Sequence, residues 1–439
     1  MSEAKSEMQD LDACLSTAAE KFGTPSYVYL TDSIDARLAG IRSAMGPWFE
    51  LSYAMKCNPN PGLLRWLADR VELIDVSSIG EFRLARQAGW SAARASFTGP
   101  GKRDAEIVEA IDSGIGELVL ENLREAIIAE RAAAEAGCVQ DVLIRLAPAN
   151  VPKGFGDRMA GRPSPFGIDI EAADEELPRI LALPHLRIVG LHIYSGTQCL
   201  KPDAICENYR IFLSIFRDVC AKHDIRPRKL VFGSGLGIPY HPGDTPLDLT
   251  AVAGSIGVEL DDFRAEPRFS GTRLILELGR YLVGEAGYFL TRVIAIKRSR
   301  GHLIGICDGG MNNHLPASGH FGMVIHRNYR MHRVGGGDGE EKIDLVGPLC
   351  TSIDKLASGV LLPRLDEGDI VAVHSSGAYG LTASPIHFIS HPYPREVLVE
   401  GQRLTDISRD MGREVQSAAL QTYTGPGQAI KPEIEVSIE

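Results

Sequence analysis

A lysine stands where two kinds of local pattern meet. In Phe49-Glu50-Leu51-Ser52-Tyr53-Ala54-Met55-Lys56, large apolar residues alternate with Glu50, Ser52, Ala54 and Lys56, the period of a strand. Cys57-Asn58-Pro59-Asn60-Pro61-Gly62 stops that strand, and Leu63, Leu64 and Leu67 follow at helical spacing. Lys56 therefore reads as the last residue of a strand that feeds a helix. In parallel α/β proteins the carboxyl ends of the strands form the active face. An amine there, with small Ser52 and Ala54 behind it on the same strand face, could hold a flat cofactor as a Schiff base. The stretch equally suits a solvated lysine at a strand end, so the reading turns on what else reaches that face.

Two later stretches could serve the same cofactor. Gly233-Ser234-Gly235-Leu236-Gly237 would let backbone amides approach an anion closely, and barrel folds often bind phosphate in the loops after strands seven and eight. A plain tight turn is the other reading of those glycines. In Glu277-Leu278-Gly279-Arg280-Tyr281, Arg280 could give charge-assisted hydrogen bonds to the same phosphate. Glu277 could keep a pyridinium nitrogen protonated, which makes such a ring a strong electron sink. A structural ion pair between Glu277 and Arg280 is the alternative. Further on, Gly347-Pro348-Leu349-Cys350-Thr351-Ser352-Ile353-Asp354 sets a thiol in a tight turn, although a buried inert cysteine is the commoner fate. Gly377-Ala378-Tyr379-Gly380 sets a phenol between glycines, where it can reach outward.

The elements that must position these groups follow a rhythm. Residues 1–23 read as a polar helical lead and Ser26–Leu30 as a strand. Apolar runs at 49–55, 71–76, 94–98, 117–120, 141–146, 187–194, 229–232 and 273–277 then alternate with helical patterns. Those patterns lie near 62–69, 80–88, 104–112, 123–136, 171–183, 205–222 and 248–263. Eight strands alternating with helices over about 240 residues predict an α/β fold, a (β/α)8 TIM barrel, in preference to a doubly wound sheet. The residues just after each strand would then face one cavity: Lys56, Asp75 to Ser78, Thr98-Gly99, Glu121-Asn122, Arg145, His192 to Thr197, Gly233 to Gly237 and Glu277 to Tyr281. Polar residues and glycines cluster at those ends, and that coincidence favours a functional Lys56.

Beyond residue 284 the chain turns to short alternating runs: 288–296, 302–307, 342–346, 369–374, 386–389 and 396–399. They predict a second, C-terminal all-β domain. The expected division is a barrel over 24–284, a β-domain from 1–23 with 285–405, and a tail over 406–439. Two Gly/Pro-rich insertions, Asn150 to Pro165 and Asn312 to Glu341, have the length of lids or partner contacts; the second reads equally as a solvated loop.

Composition narrows the class. A formal charge of −11 argues against nucleic acid or an anionic membrane as main partner. The eight cysteines show no C-x-x-C and no framework spacing, which reads as reduced thiols in a cytoplasmic compartment. The N-terminus lacks a signal-peptide core, nothing later is apolar enough to span a membrane, and no metal is expected.

Six ordered motifs carry a resemblance over roughly residues 22–402: Tyr53-Ala54-Met55-Lys56-Cys57-Asn58, Ser77-Ser78-Ile79-Gly80-Glu81, Glu277-Leu278-Gly279-Arg280-Tyr281, Cys307-Asp308-Gly309-Gly310, Gly347-Pro348-Leu349-Cys350 and Gly377-Ala378-Tyr379. The chain resembles the fold-type III pyridoxal-phosphate decarboxylases of ornithine, arginine and diaminopimelate. The resemblance implies an alanine-racemase-like barrel plus β-domain, working as a homodimer with shared active sites. It implies pyridoxal 5'-phosphate bound covalently at Lys56, with Glu277 at the pyridine nitrogen. The Gly233, Ser234, Gly235 and Gly237 loop, Gly279, Arg280 and Tyr379 would hold the phosphate, with Thr197 at the same cavity. Asp75 would lie near Lys56 and Arg145 near the ring. Cys350 would come from the partner subunit and reprotonate the carbanion, with Thr351 and Asp354 toward the substrate.

Three positions depart from the family pattern. Tyr194, not His192, aligns with the histidine that stacks on the ring in most members; a tyrosine can stack but carries no imidazole proton. Thr351 follows the cysteine where ornithine- and diaminopimelate-type enzymes have an acid that meets the distal end of the substrate; the nearest acid is Asp354. Leu278 replaces a customary proline. Tyr194, Gly-Pro-Leu-Cys-Thr and Ser376 to Phe388 resemble a secondary-metabolite branch that includes the butirosin decarboxylase of carrier-bound glutamate. The expected function is therefore decarboxylation of an amino acid or a carrier-tethered derivative. Alternatives are a diaminopimelate or ornithine/lysine decarboxylase acting on the free amino acid, and a silent decarboxylase-like regulatory protein. A racemase of this architecture would set an arginine, not Glu277, at the ring nitrogen.

Overall fold

The computed structural model describes residues 2–321 and 326–409. Eight parallel strands close into a barrel: Phe49–Ala54, Leu73–Val76, Ala95–Phe97, Glu117–Leu120, Gln140–Ala147, Leu186–Ile193, Lys229–Gly233 and Arg273–Leu278. The eighth pairs with the first and the fourth with the fifth, so no barrel edge is left open. Every run expected from the sequence is present. Four of the helices between them begin where short polar side chains satisfy their first N–H groups. Asn60 Oδ1 accepts from the amides of Gly62 and Leu63, Ser78 caps Glu81, Asn122 caps Glu125 and Asp248 caps Ala251. Each such cap is worth about 1 kcal/mol.

Inside the barrel Val119, Leu143, Val189, Val231 and Ile275 form their own apolar cluster. Strand period two then aims Glu277, two residues past Ile275, at the carboxyl mouth of the same interior, and Arg145, two past Leu143, does likewise. Strand six carries a bulge. Ile188 pairs with Val142 but Gly190 with Leu143, so Val189 is an extra residue and the alternation restarts. His192 consequently lies opposite Arg145 and points inward, where unbroken alternation from Val189 would turn it outward.

A second sheet of nine strands follows: Ser26–Leu30, Gly287–Ser299, His302–Cys307, Met331–Arg333, Glu341–Val346, Lys355–Leu362, Ile370–Val373, Arg395–Glu400 and Arg403–Asp406. Three corrections to the sequence reading arise here. Ser26–Leu30, expected within a barrel starting at 24, pairs antiparallel with Gly287–Ser299 and parallel with Arg395–Glu400. Its two faces explain this: Val28 packs with Leu15 and Ala18 of the N-terminal helix Ser2–Phe22, while Tyr27 and Tyr29 enter the main core. Residues 386–389, expected as a strand, form a turn with a short 3-10 segment at Phe388–Ser390 and leave Phe388 and Ile389 exposed. Lys355–Leu362, Met331–Arg333 and Arg403–Asp406 were not expected; the first is an edge strand interrupted by Gly359 in the left-handed region.

Both insertions are tied to the body. Asp157–Arg158 pairs antiparallel with Gly196–Thr197, which pins Asn150 to Pro165 over the loop after strand six. In the second insertion Asn312, Asn313, His314 and Ser318 are buried, and Tyr27 Oη donates to the Asn313 carbonyl at 2.6 Å. That stretch is core, not solvated loop, whereas Gly335 to Glu340 is exposed; residues 322–325 lie outside the described range. Of the expected tail, 410–439 lies outside the described residues, and Arg409 reaches the Pro59 carbonyl at 2.6 Å.

Candidate active site

The first strand ends at Ala54, two residues earlier than the sequence suggests, and Lys56 sits in a single 3-10 turn, Met55–Cys57. Asn58 N–H closes that turn on the Met55 carbonyl at 3.0 Å. The second sheet clamps it from above: Tyr379 N–H donates to the Cys57 carbonyl at 2.7 Å, and Asn58 Nδ2 to the Gly377 carbonyl at 3.0 Å. One backbone bond and one side-chain bond thus join the residues that follow Lys56 to the Tyr379 motif, more than 300 residues away.

Around Lys56 one narrow cavity gathers most of the expected residues. Tyr194 and Thr197 come from the loop after strand six, Ser234 and Gly235 from the loop after strand seven. Glu277, Gly279 and Arg280 come from the end of strand eight, and Tyr379 from the second sheet. Lys56 Nζ lies 5.3 Å from the Tyr194 ring centroid. The glycines are demanded by this crowding. A Cβ on Gly233 would sit 2.3 Å from Tyr194 Cδ2, and Gly235 has φ +68 with Phe155 2.5 Å from where its Cβ would be. Gly237 N–H bonds the Cys199 carbonyl at 2.9 Å, zipping the two loops together from behind.

Charge is concentrated here. Burial opposes a charged Lys56, but Tyr379, Glu277, Tyr194 and Asp75 together outweigh it and hold the amine above its ordinary value. Burial would raise Glu277, yet His192 at 3.0 Å, with Lys56 and Arg145 nearby, holds it below the usual carboxylate range. Asp75 is pushed well up by burial and by Glu277, despite Lys56 and hydrogen bonds from Ser96 and Thr98. Its Oδ2 is buried with no partner among the described residues. Arg280 Nη1 bonds Tyr240 Oη at 2.5 Å and its guanidinium lies 4.8 Å from the Tyr379 ring centroid. Arg280 Nε is likewise buried and without a described partner.

Seven expected residues do not line the cavity; besides Asp75, Gly233 and Gly237, four more lie elsewhere. Arg145 pairs with Glu121 at 2.8 Å, both buried, and its guanidinium lies 4.8 Å from the Phe166 ring centroid. Cys350 is exposed on its turn, and Thr351 is half-buried beside it. Asp354 is buried beneath that turn: Oδ1 accepts from Met311 N–H at 2.6 Å and Oδ2 from Leu349 N–H at 2.8 Å. The carboxylate expected to face substrate is thereby occupied by backbone. Sequence reasoning set His192 at the strand end facing the cavity but gave it no role, and it passed over Tyr240. The bulge that turns His192 inward has no signal in the sequence beyond Gly190, and Tyr240 lies past the glycine loop where strand-end logic stops.

A planar carbonyl cofactor with an anionic tail fits this end of the barrel. Lys56 offers an amine for the aldehyde, and Glu277 a carboxylate whose Oε1 no described residue bonds. The glycine loop and the partnerless Arg280 Nε offer donors for a phosphate. These features define a pyridoxal 5'-phosphate enzyme. Residues 31–284 match the family model described as pyridoxal-dependent decarboxylase, pyridoxal binding domain. An L-glutamyl-[BtrI acyl-carrier protein] decarboxylase of Niallia circulans is 35% identical, over 89% of this chain and 92% of its own. A diaminopimelate decarboxylase of Aquifex aeolicus is 33% identical, over 88% and 89% respectively. The structure of diaminopimelate decarboxylase from M. jannaschii with L-lysine superimposes with a TM-score of 0.81 at 26% identity, covering 90% of this chain and 91% of that one. The chain belongs to the pyridoxal-dependent decarboxylases, and its fold is the barrel plus C-terminal sheet of that family. Among the described residues no helix is long and apolar enough to cross a membrane.

Proposed function

We propose that this decarboxylase acts on an amino acid tethered to an acyl-carrier protein, within a secondary-metabolite pathway, in preference to a free basic amino acid. The observation that carries this reading is the state of Asp354. Ornithine- and diaminopimelate-type enzymes are expected to meet a distal ammonium with an acid beside the cysteine. Here that neighbour is Thr351, and the next acid spends both oxygens on the amides of Met311 and Leu349. Freeing it would strand two buried N–H groups at about 1–3 kcal/mol each. A substrate whose side-chain carboxyl is already a thioester has no such ammonium to satisfy, and the relative from Niallia circulans is named for a substrate of this kind.

In the proposed site Lys56 would hold the cofactor covalently through its amine, and Glu277 would serve its ring nitrogen. The Gly233–Gly237 loop, Gly279, Arg280 and Tyr379 would take the phosphate, with Thr197 on the same cavity. Tyr194, its ring centroid 5.3 Å from Lys56 Nζ, would flank the group, and Arg145, paired with Glu121, would lie near it. Bound pyridoxal 5'-phosphate supplies an electron sink for the pair left at Cα when carbon dioxide departs. Burial and the neighbouring Glu277 push the Asp75 carboxyl up, while His192, Lys56 and Arg145 hold Glu277 down, so of the two acids Glu277 is the one that keeps its charge more readily. The protein works as a homodimer: Sγ of the partner subunit's Cys350 returns the proton to Cα, which its exposure on a single chain permits.

Carbon dioxide release by the cofactor-loaded protein tests the reading. The panel is glutamyl-carrier protein against free diaminopimelate, ornithine, lysine, arginine and glutamate. Release from the carrier-bound substrate alone is expected. Brisk release from any free amino acid would overturn the tethered reading and make Thr351 compatible with a conventional decarboxylase.

A further inference from the structure

Glu277 has a partner that cofactor binding alone does not require. His192 Nε2 lies 3.0 Å from Glu277 Oε2, with the two side chains 1% and 3% exposed. The other ring nitrogen, Nδ1, is buried with no partner among the described residues. This fixes the tautomer. A carboxylate oxygen accepts, so Nε2 must carry the hydrogen; a proton on Nδ1 as well would bury a donor with no acceptor. Burial pulls His192 below its ordinary value, and Arg145 adds to that, against the opposing pull of Glu277 and Glu121. The charged groups facing the pair are Lys56 and Arg145 on the cationic side and Glu121 on the anionic side, with Asp75 across the cavity.

We propose that His192 is a positioning residue for the cofactor's ring nitrogen, acting through Glu277. Its neutral Nε2–H holds one carboxylate oxygen and sets the plane of the group, so that Oε1 is presented to the cavity. An imidazolium in this place would compete with the ring nitrogen for the charge of Glu277. A neutral donor orients the carboxylate and leaves that charge to the ring. The bulge at Val189 is the backbone device that makes the arrangement, because it turns His192 toward Glu277.

The inference rests on the protein's binding pyridoxal 5'-phosphate and is independent of which substrate it takes. It is tested by cofactor affinity, with no turnover needed. Cofactor-free wild type, His192→Phe and His192→Gln are titrated with pyridoxal 5'-phosphate and with its deaza analogue, in which carbon replaces the ring nitrogen. His192→Phe is expected to weaken the natural cofactor roughly tenfold or more, the scale of one charge-assisted hydrogen bond, and to leave the deaza analogue unchanged. His192→Gln, whose amide keeps an N–H donor, is expected to restore most of the loss. Equal weakening of both ligands would make His192 a packing residue and overturn the proposal, as would no weakening of either. Should His192→Phe not fold, His192→Asn, whose shorter amide falls short of Glu277, replaces it in the same comparison. Failure of the wild type to bind the natural cofactor would refute the cofactor reading itself.

Discussion

The carboxyl end of the barrel and the Cys350 turn carry the two halves of the proposed reaction, and they are built in opposite ways. At the barrel, Lys56, Glu277 and Arg280 follow or end barrel strands, and the turn that carries Lys56 is held by hydrogen bonds to the Gly377-Ala378-Tyr379 loop, around a cavity lined by residues of one chain. At the turn, Cys350 stands exposed, and what is buried is its foundation, Asp354. A single chain therefore brings the proposed cofactor-holding residues together but leaves the proposed proton donor on its outer surface. Binding and proton return are separable in this molecule, and mutations should divide along that line.

The sharpest break is Lys56→Ala. Loss of the only amine in the described cavity removes covalent attachment, so carbon dioxide release should fall to that of free cofactor, and the absorbance of the lysine-bound cofactor should vanish. Retained steady-state turnover by a clean preparation would sink the assignment. Cys350→Ala should do something different. Cofactor absorbance should persist while kcat falls by about 100- to 10,000-fold, the range for loss of a positioned general acid. Because the thiol is proposed to act across the dimer, mixing the two dead variants should recover roughly one quarter of wild-type activity, through heterodimers with one intact site. No recovery from a mixture that demonstrably exchanges subunits would place the thiol in the wrong site.

The same two regions differ in how far they were legible in the sequence. The barrel announced itself because strand period two and helix period 3.6 alternate for eight rounds, and strand ends collect polar residues whatever the loops do. Lys56, Tyr194, Thr197, Ser234, Gly235, Glu277, Gly279, Arg280 and Tyr379 meet in one cavity for that reason. What failed to show was whatever depends on a single irregular residue or a distant strand. The pairing of His192 with Glu277 needs the bulge at Val189, and Ser26–Leu30 needs partners that lie more than 250 residues downstream. Asp354 reads as an acid near a catalytic cysteine until its two amide partners are seen. Asn312 to Ser318 looks like loop by composition, yet its polar groups are satisfied by other buried groups rather than by water.

That buried stretch gives the smallest and most selective prediction. His314 Nδ1 accepts from Ala317 N–H at 3.1 Å, which leaves the hydrogen on Nε2, 2.9 Å from Ser376 Oγ. Burial pulls its pKa from 6.5 down to about 3, and burial beside His332 and Arg330 does the same for His374. The folded state therefore prefers both rings neutral, and below the ordinary value the unfolded chain binds more protons. Their stabilisation is complete above pH 6.5 and is lost as pH falls toward 3, at about 1.4 kcal/mol per pH unit for each ring. Thermal midpoints should thus drop between pH 7 and 5, and His314→Gln should start lower but slope less steeply. Ser376 leads directly into Gly377-Ala378-Tyr379, so the loss should loosen the second sheet's clamp on Lys56 before the barrel itself opens. Hydrogen exchange at pH 5 should show the amide of Tyr379 deprotected ahead of those in the barrel strands; the reverse order would mean that the clamp does not depend on His314.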